Sequence, residues 1–139
     1  DNIHSVPRNV QYITFQKDAK KITICNVHGV WIKGSKKDSL SRIEQSKKIK
    51  KFLSKQAGAK ILVGDFNLNI NTKSIKILEK DMRNLIREYK IPTTRNKYFP
   101  GDEKFADYIF VSNGIKVKDF KVPNVEVSDH LPMVLEFST

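Results

Sequence analysis

Lys60-Ile61-Leu62-Val63-Gly64-Asp65-Phe66-Asn67 is an apolar run that ends in a carboxylate and, two residues on, an amide. Short, apolar and β-branched at Ile61 and Val63, it suits a strand covered on both faces rather than a surface helix. Side chains alternate along a strand, so Asp65 and Asn67 are expected on one side, with Phe66 pointing back into the protein. Two readings are open for such an ending. It is either an Asx turn, in which these side chains bond their own backbone, or a strand tip that aims an acceptor and an amide at one spot.

The sequence on either side reads as helices and strands that enclose this run. Before it, Ser41-Arg42-Ile43-Glu44 has the form of a capping box, predicting a helix over 41–55. Ile43, Ser46, Ile49, Leu53 and Ala57 would share its buried face and Lys47, Lys48, Lys50 and Lys51 its solvated one, with Gly58 as the stop. After it, Ile75, Leu78, Met82, Leu85, Ile86 and Tyr89 repeat at helical spacing, predicting a second helix over 72–90 that Ile91-Pro92 ends. Both helices are expected on the same side of the sheet. Val10 to Gln16 and Lys21 to His28 read as a hairpin around Lys17-Asp18-Ala19-Lys20. Phe105 to Ser112, Ile115 to Lys121 and Met133 to Phe137 read as further strands.

At 139 residues and 39% apolar content the chain is one domain's worth, taken as a single partial domain over 1–139. Residues 1–8 lack periodicity and read as a loop or frayed terminus, with His4 an exposed bystander; a start at Asp1 leaves room for an upstream segment. No run approaches the length of a membrane span, so no transmembrane segment is expected. The single Cys25 rules out an internal disulfide and reads as a small buried hydrophobe. Twenty-six basic against fifteen acidic residues give a net charge of +11, which favours a polyanionic partner such as nucleic acid, or an anionic membrane surface. Almost all of it is Lys, a bias that whole-proteome composition produces as readily as a binding footprint. The loop from Thr93 to Gly101 is basic and aromatic, able to contact phosphate and stack on bases. Trp31 is open to two readings, a core anchor or part of a substrate wall.

His28, Asp65 with Asn67, Asp107, and Asp129 with His130 all sit at or beside expected strand ends, which in a layered α/β sandwich converge on one rim. Two imidazoles, three carboxylates and an amide would supply a site for a hard divalent cation, a base for water and donors for a phosphoryl oxygen. The spacing suits no structural zinc site, and no Gly-rich phosphate loop or Gly-x-Ser-x-Gly elbow competes. Four motifs follow in order: Asn26-Val27-His28, Gly64-Asp65-Phe66-Asn67, Asp107-Tyr108-Ile109 and Ser128-Asp129-His130-Leu131-Pro132. With them the chain resembles the C-terminal half of the endonuclease/exonuclease/phosphatase superfamily, the deoxyribonuclease-I-like and exonuclease-III-like metal-dependent phosphoesterases, over residues 9–138.

The resemblance implies an α/β (α+β) fold, a deoxyribonuclease-I-like layered sandwich of which this chain holds the C-terminal sheet with its helices. It implies hydrolysis of phosphodiesters, nuclease-like on DNA or RNA, with Mg2+ or Mn2+ as cofactor. Asp65 would orient or deprotonate the attacking water, with Asn67 fixing that water and the phosphate. Asp107 would hold His130 against the scissile phosphate, and His28 would meet the phosphate or the leaving oxygen. Asp129 would ligate the metal, with Asp65 beside it, and Arg42 and Arg95 are candidate substrate-binding residues. The family's N-terminal half carries an Asn and a metal-ligating Glu with no counterpart here, since Glu44 lies in a helix cap and Glu126 precedes the Ser-Asp-His turn. An N-terminal half or another chain is therefore the expected partner, covering an open sheet face. Two other readings stand beside the nuclease: a phosphatase or phosphodiesterase acting on small or lipid phosphates, and a non-catalytic binding or assembly module.

Overall fold

The computed structural model describes residues 8–139, so the expectations for the terminus before Arg8, His4 included, lie outside the described residues. The first hairpin forms as its β-rich pattern suggests, β1 (Val10–Lys17) pairing antiparallel with β2 (Lys20–His28). Its two-residue turn places both Asp18 and Ala19 at positive φ, as the twist of a tight hairpin requires. The apolar run around residue 62 becomes β3 (Ala59–Asp65), parallel to β2 and antiparallel to β5 (Asp107–Val111). It is the middle strand of a five-stranded sheet in the order β1-β2-β3-β5-β4, with β4 the short strand Arg83–Asn84, and is covered on both faces, Ile61 and Leu62 being buried.

Register decides which side chains share a face. Thr23, Cys25 and Val27 of β2, Leu62 of β3, and Tyr108 and Phe110 of β5 alternate onto one face. Tyr12 of β1 shares it and meets Phe52 of α1 (Leu40–Ser54) edge-on, with ring centroids 5.0 Å apart. The helices cover this face, α1 packing against α2 (Lys73–Glu79). Ile24, His28, Ile61, Val63, Asp65, Asp107 and Ile109 alternate onto the opposite face. The layered architecture is as expected, with one addition. β6 (Lys116–Lys121) and β7 (Val134–Ser138) form a separate two-stranded sheet, and Phe120, Leu135 and Phe137 of this pair join the core. The second layer is thus represented by two strands, while Ile13 on β1 stays 60% exposed.

Three local expectations are corrected. The cap of α1 is Ser39, whose hydroxyl accepts from the Arg42 amide, and Ser41 instead bonds the Ser39 hydroxyl. The buried stripe is accordingly Arg42, Ser46, Ile49 and Leu53, with Ala57 exposed beyond the helix end. Gly58 is not the helix stop, which is Lys55; it sits where a Cβ would lie 2.2 Å from the Lys21 carbonyl oxygen. The helix predicted over 72–90 is two helices, because Arg83 and Asn84 form β4 (Arg83–Asn84) against Val111 and Phe110. Pairing there satisfies edge backbone groups of β5 that a continuous helix would leave unmatched. Asn84 then caps α3 (Leu85–Glu88) by accepting from the Ile86 amide, and Glu79 joins the pieces by accepting from Asn84 Nδ2 and Arg87 Nε.

Candidate active site

Two register positions build the site. His28 is opposite Asp65 in the β2–β3 pair, and Asp65 is opposite Asp107 in the β3–β5 pair. Partners in a ladder project to the same face, so three candidate side chains stand abreast at the same end of three adjacent strands. Gly64 makes the approach possible: at φ +135°, a Cβ there would lie 1.9 Å from the Val27 carbonyl oxygen. Chain ends at this rim are closed by Gly29 N–H donating to Asp65 O (2.6 Å) and Phe66 N–H donating to Ala106 O (2.7 Å).

The Asp65 tip is an Asx turn through one carboxylate oxygen and faces the cleft through the other; the amide of Asn67 is not aimed there with it. Oδ1 accepts the Asn67 amide at 2.7 Å, the Asx turn, which carries Asn67 to φ +54°. Oδ2 faces the cleft, 3.9 Å from His28 Nε2, 3.9 Å from His130 Nε2 and 4.0 Å from Arg95 Nη2. Phe66 is buried as expected and packs edge-on to Phe110. Asn67 does not line the cleft wall: it is 2% exposed, its Nδ2 donating to the Gly29 carbonyl at 3.3 Å and its Oδ1 accepting from Lys36.

The Ser-Asp-His segment reaches the same spot through a short backbone ladder. Arg95 pairs with His130, Leu131 N–H donates to Thr94 O at 3.0 Å, and Asn96 N–H donates to Asp129 O at 3.3 Å. His130 Nδ1 lies 2.8 Å from Asp107 Oδ1. The other Asp107 oxygen accepts from Thr94 Oγ1 at 3.1 Å, and both residues are buried. The Asp107 carboxylate raises the His130 pKa above the ordinary imidazole value, against the opposing pull of burial. With Nδ1 committed to Asp107, Nε2 is the nitrogen turned to the cleft.

Arg95 is a central buried residue rather than a peripheral one. Its Nη1 bonds Asp129 Oδ2 at 2.9 Å, its guanidinium lies 4.5 Å from the centroid of the Phe99 ring, and its Nε has no partner among the described residues. Arg42, expected as a substrate-binding residue, is placed otherwise. At 0% exposure, it donates Nε to Val30 O, Nη1 to Lys37 O and Nη2 to Ser35 O, so its guanidinium is used in holding the loop at 30–37. Trp31 is half-exposed and no core anchor. Sequence reasoning missed Lys36 and Thr94. Lys36 carried no mark beyond being one lysine among many, whereas the hydroxyl beside an expected buried Asp107 was open to inspection in Thr93-Thr94.

Asp65, Asp107 and His130 offer ligand atoms within 4.8 Å of one another, a group able to hold a metal ion. Asp129, expected to ligate with Asp65, is at the margin, bonded to Arg95 and 4.0 Å from His130 Nε2. Because Asp107 and Nδ1 already satisfy each other, the donors left to a cation are Asp65 Oδ2 and His130 Nε2, with Asp129 beside them. Of these, the carboxylates Asp65 and Asp129 suit a hard divalent cation, whose remaining positions would be filled by water and phosphate oxygens. Glu44 and Glu126 are outside this group.

The model of the endonuclease/exonuclease/phosphatase family matches residues 38–130, roughly two thirds of the chain and all of the site residues named except His28 and Lys36. No curated protein sequence matches. Among solved structures, an endonuclease/exonuclease/phosphatase from Bacteroides vulgatus is similar at 18% identity and TM-score 0.78, over 94% of this chain and 55% of that one. A mannosyl-6-phosphatase from Bacteroides thetaiotaomicron is similar at 22% identity and TM-score 0.70, over 96% and 58%. D. rerio TDP2, solved with a single strand DNA product, is similar at 16% identity and TM-score 0.74, over 95% and 62%. At these identities the likeness is one of fold, and this chain spans little more than half the length of each.

Proposed function

The chain belongs to the endonuclease/exonuclease/phosphatase family, and from that footing we propose that the protein containing it is a divalent-metal-dependent phosphoesterase acting on nucleic acid. The observation that carries this reading is the convergence of Asp65, Asp107 and His130, from three separated stretches of sequence, on one rim beside Arg95 and His28.

In this reading Asp65 holds and deprotonates the attacking water through Oδ2, its other oxygen being fixed in the turn. His130, kept in one orientation and favoured as imidazolium by Asp107, donates Nε2–H to a phosphoryl oxygen. Asp107 is a positioning residue, itself held by Thr94. Arg95 balances Asp65 and Asp129, so that an anionic substrate does not meet three uncompensated carboxylates. His28, with its side chain 63% exposed, is free to reach the leaving oxygen. Mg2+ or Mn2+, held by Asp65 with Asp129 alongside, would supply positive charge against the charge developing on the phosphoryl group.

Nucleic acid is favoured as substrate by the +11 charge and by exposed Trp31 and Tyr98 on two loops that flank the rim. Beside Asp129 lies a shallow, open surface bordered by Tyr98, Pro100, Glu126, Val127 and Ser128. The likeness to a mannosyl-6-phosphatase supports a second reading, a small phosphate ester as substrate. An N-terminal half supplies the remaining metal ligand, so the 139-residue chain alone is expected to hydrolyse weakly.

The test is Mg-dependent cleavage of single-stranded DNA and of p-nitrophenyl phosphate by the longer protein, with Asp65→Ala and His130→Ala variants, between about 50 and 200 mM salt. Each substitution should lower the rate by about a hundredfold or more. Activity on the oligonucleotide should fall steeply with salt. Cleavage indifferent to both substitutions would remove the assignment of roles, and salt-insensitive turnover confined to the small ester would transfer the reading to a phosphatase.

A further inference from the structure

Lys33, Lys36 and Lys37 lie within five residues of one another on the loop between β2 and α1, and the fold treats one of them differently. Lys33 and Lys37 are exposed, whereas Lys36 is half-buried against the site and donates to Asn67 Oδ1. Its position is strongly prepared. The fully buried Arg42 guanidinium grips the loop by the carbonyls of Val30, Ser35 and Lys37, and the Lys36 carbonyl itself accepts Asn69 N–H at 2.8 Å. On either side, Val30 N–H donates to Gln45 Oε1 at 3.0 Å, and Asp38 accepts from the Lys73 and Ser74 amides at the start of α2.

An ammonium has three N–H donors, and here one meets a neutral amide. Among the described residues no carboxylate forms an ion pair with Nζ, although Asp65 and Asp107 are close enough to act on it through space. Lys36 is therefore partly desolvated with no ion pair among the described residues, an arrangement that a bound anion would complete. Burial pushes its pKa down and the Asp65 field pushes it back up.

We propose that Lys36 is a phosphate-binding residue of this site: its free N–H donors take a non-bridging oxygen of the substrate phosphoryl group, while its bond to Oδ1 fixes Asn67. The inference rests on the phosphoesterase reading for the identity of the anion. It gives Asn67 an indirect part, holding the ammonium rather than meeting substrate, which agrees with its burial.

The decisive comparison is between Lys36→Gln, which keeps an N–H for Asn67 and loses the charge, Lys36→Arg, which restores the charge, and Lys33→Met, which removes an exposed lysine of the same loop. Inorganic phosphate is titrated by calorimetry into the longer protein carrying each change, and folding is checked by the amide NMR spectrum. Lys36→Gln should weaken phosphate binding by about ten- to a hundredfold, the worth of a charge-assisted bond. Lys36→Arg should recover part of that loss, and Lys33→Met should stay within about twofold of the parent, as expected of a solvated charge. In hydrolysis, Lys36→Gln should raise KM more than it lowers kcat. Phosphate affinity unchanged in Lys36→Gln, an equal loss in Lys33→Met, or a parent protein that binds no phosphate would each overturn the proposal. In the first two cases the dependence of hydrolysis on Asp65 and His130 would still stand, so the two failures are separable.

Discussion

Replacing Arg42 by Met should loosen the loop that carries Lys36 without disturbing the strands that carry Asp65 and Asp107. The guanidinium makes three bonds to backbone carbonyls from a fully buried position, and bonds to a charged group contribute about 1.5–3 kcal/mol each. Their sum overstates the loss. Lys37 is exposed and Val30 and Ser35 are half-buried, so water can reach part of what the side chain releases. Removing a buried charge also relieves its own desolvation, and Met fills much of the volume. A net cost of about 2–4 kcal/mol remains, a large part of the roughly 5–15 kcal/mol that holds a domain folded. Urea denaturation should show a lower midpoint with an unchanged slope. Native-state hydrogen exchange should report it: the Asn69 amide, bonded to Lys36 O, should exchange roughly thirty- to several-hundredfold faster, and the Leu62 amide in β3, which opens only with the whole domain, by no more than the loss that urea reports. A loss below about 1 kcal/mol, or Asn69 protection as high as in the parent, would show that the loop is held by something other than Arg42.

Asp107→Asn should lower the His130 pKa, because the carboxylate is the main influence raising it. Since the folded value is raised, the pairing contributes fully to stability below the free imidazole value of about 6.5 and is lost as pH rises through the folded value. The variant should flatten this pH dependence and move the alkaline limb of hydrolysis to lower pH. NMR titration of the ring checks it, and an unmoved titration would refute the coupling. Gly64→Ala should cost about 3 kcal/mol or more, since a Cβ would meet the Val27 carbonyl oxygen at positive φ. Near-normal thermal stability of that variant would contradict the tight β2–β3 approach on which the His28–Asp65 pairing rests.

Much of this molecule was legible because the physics involved is local. An apolar β-branched run bounded by glycine and Asp identifies β3, alternation places Phe66 in the core, and Asx chemistry at Asp65 gives the turn that was observed. The order of the motifs was enough to expect Asp65, Asp107 and His130 in one site, since strands of a layered fold deliver their ends to a common rim. Where the forces were long-range, local pattern misled. Helical spacing continues through Arg83 and Asn84, yet those residues pair with the edge of β5, a partner more than twenty residues away that periodicity cannot register.

The same limit governs the charged residues. Arg42 and Arg95 looked alike as possible substrate contacts, and only burial and bonding separate them: one guanidinium is used on loop carbonyls, while the other sits between Asp129 and Asp65. Lys33 and Lys36 are equivalent in a chain with so many lysines, and the difference arises because Arg42 and Asn69 fix the loop so that one ammonium is aimed inward and the other left in water. Sequence alone determined which chemistry is present and along which strands it runs, because composition and alternation are properties of neighbours in the chain. Tertiary structure decided which charges face the rim, because desolvation and pairing depend on neighbours in space.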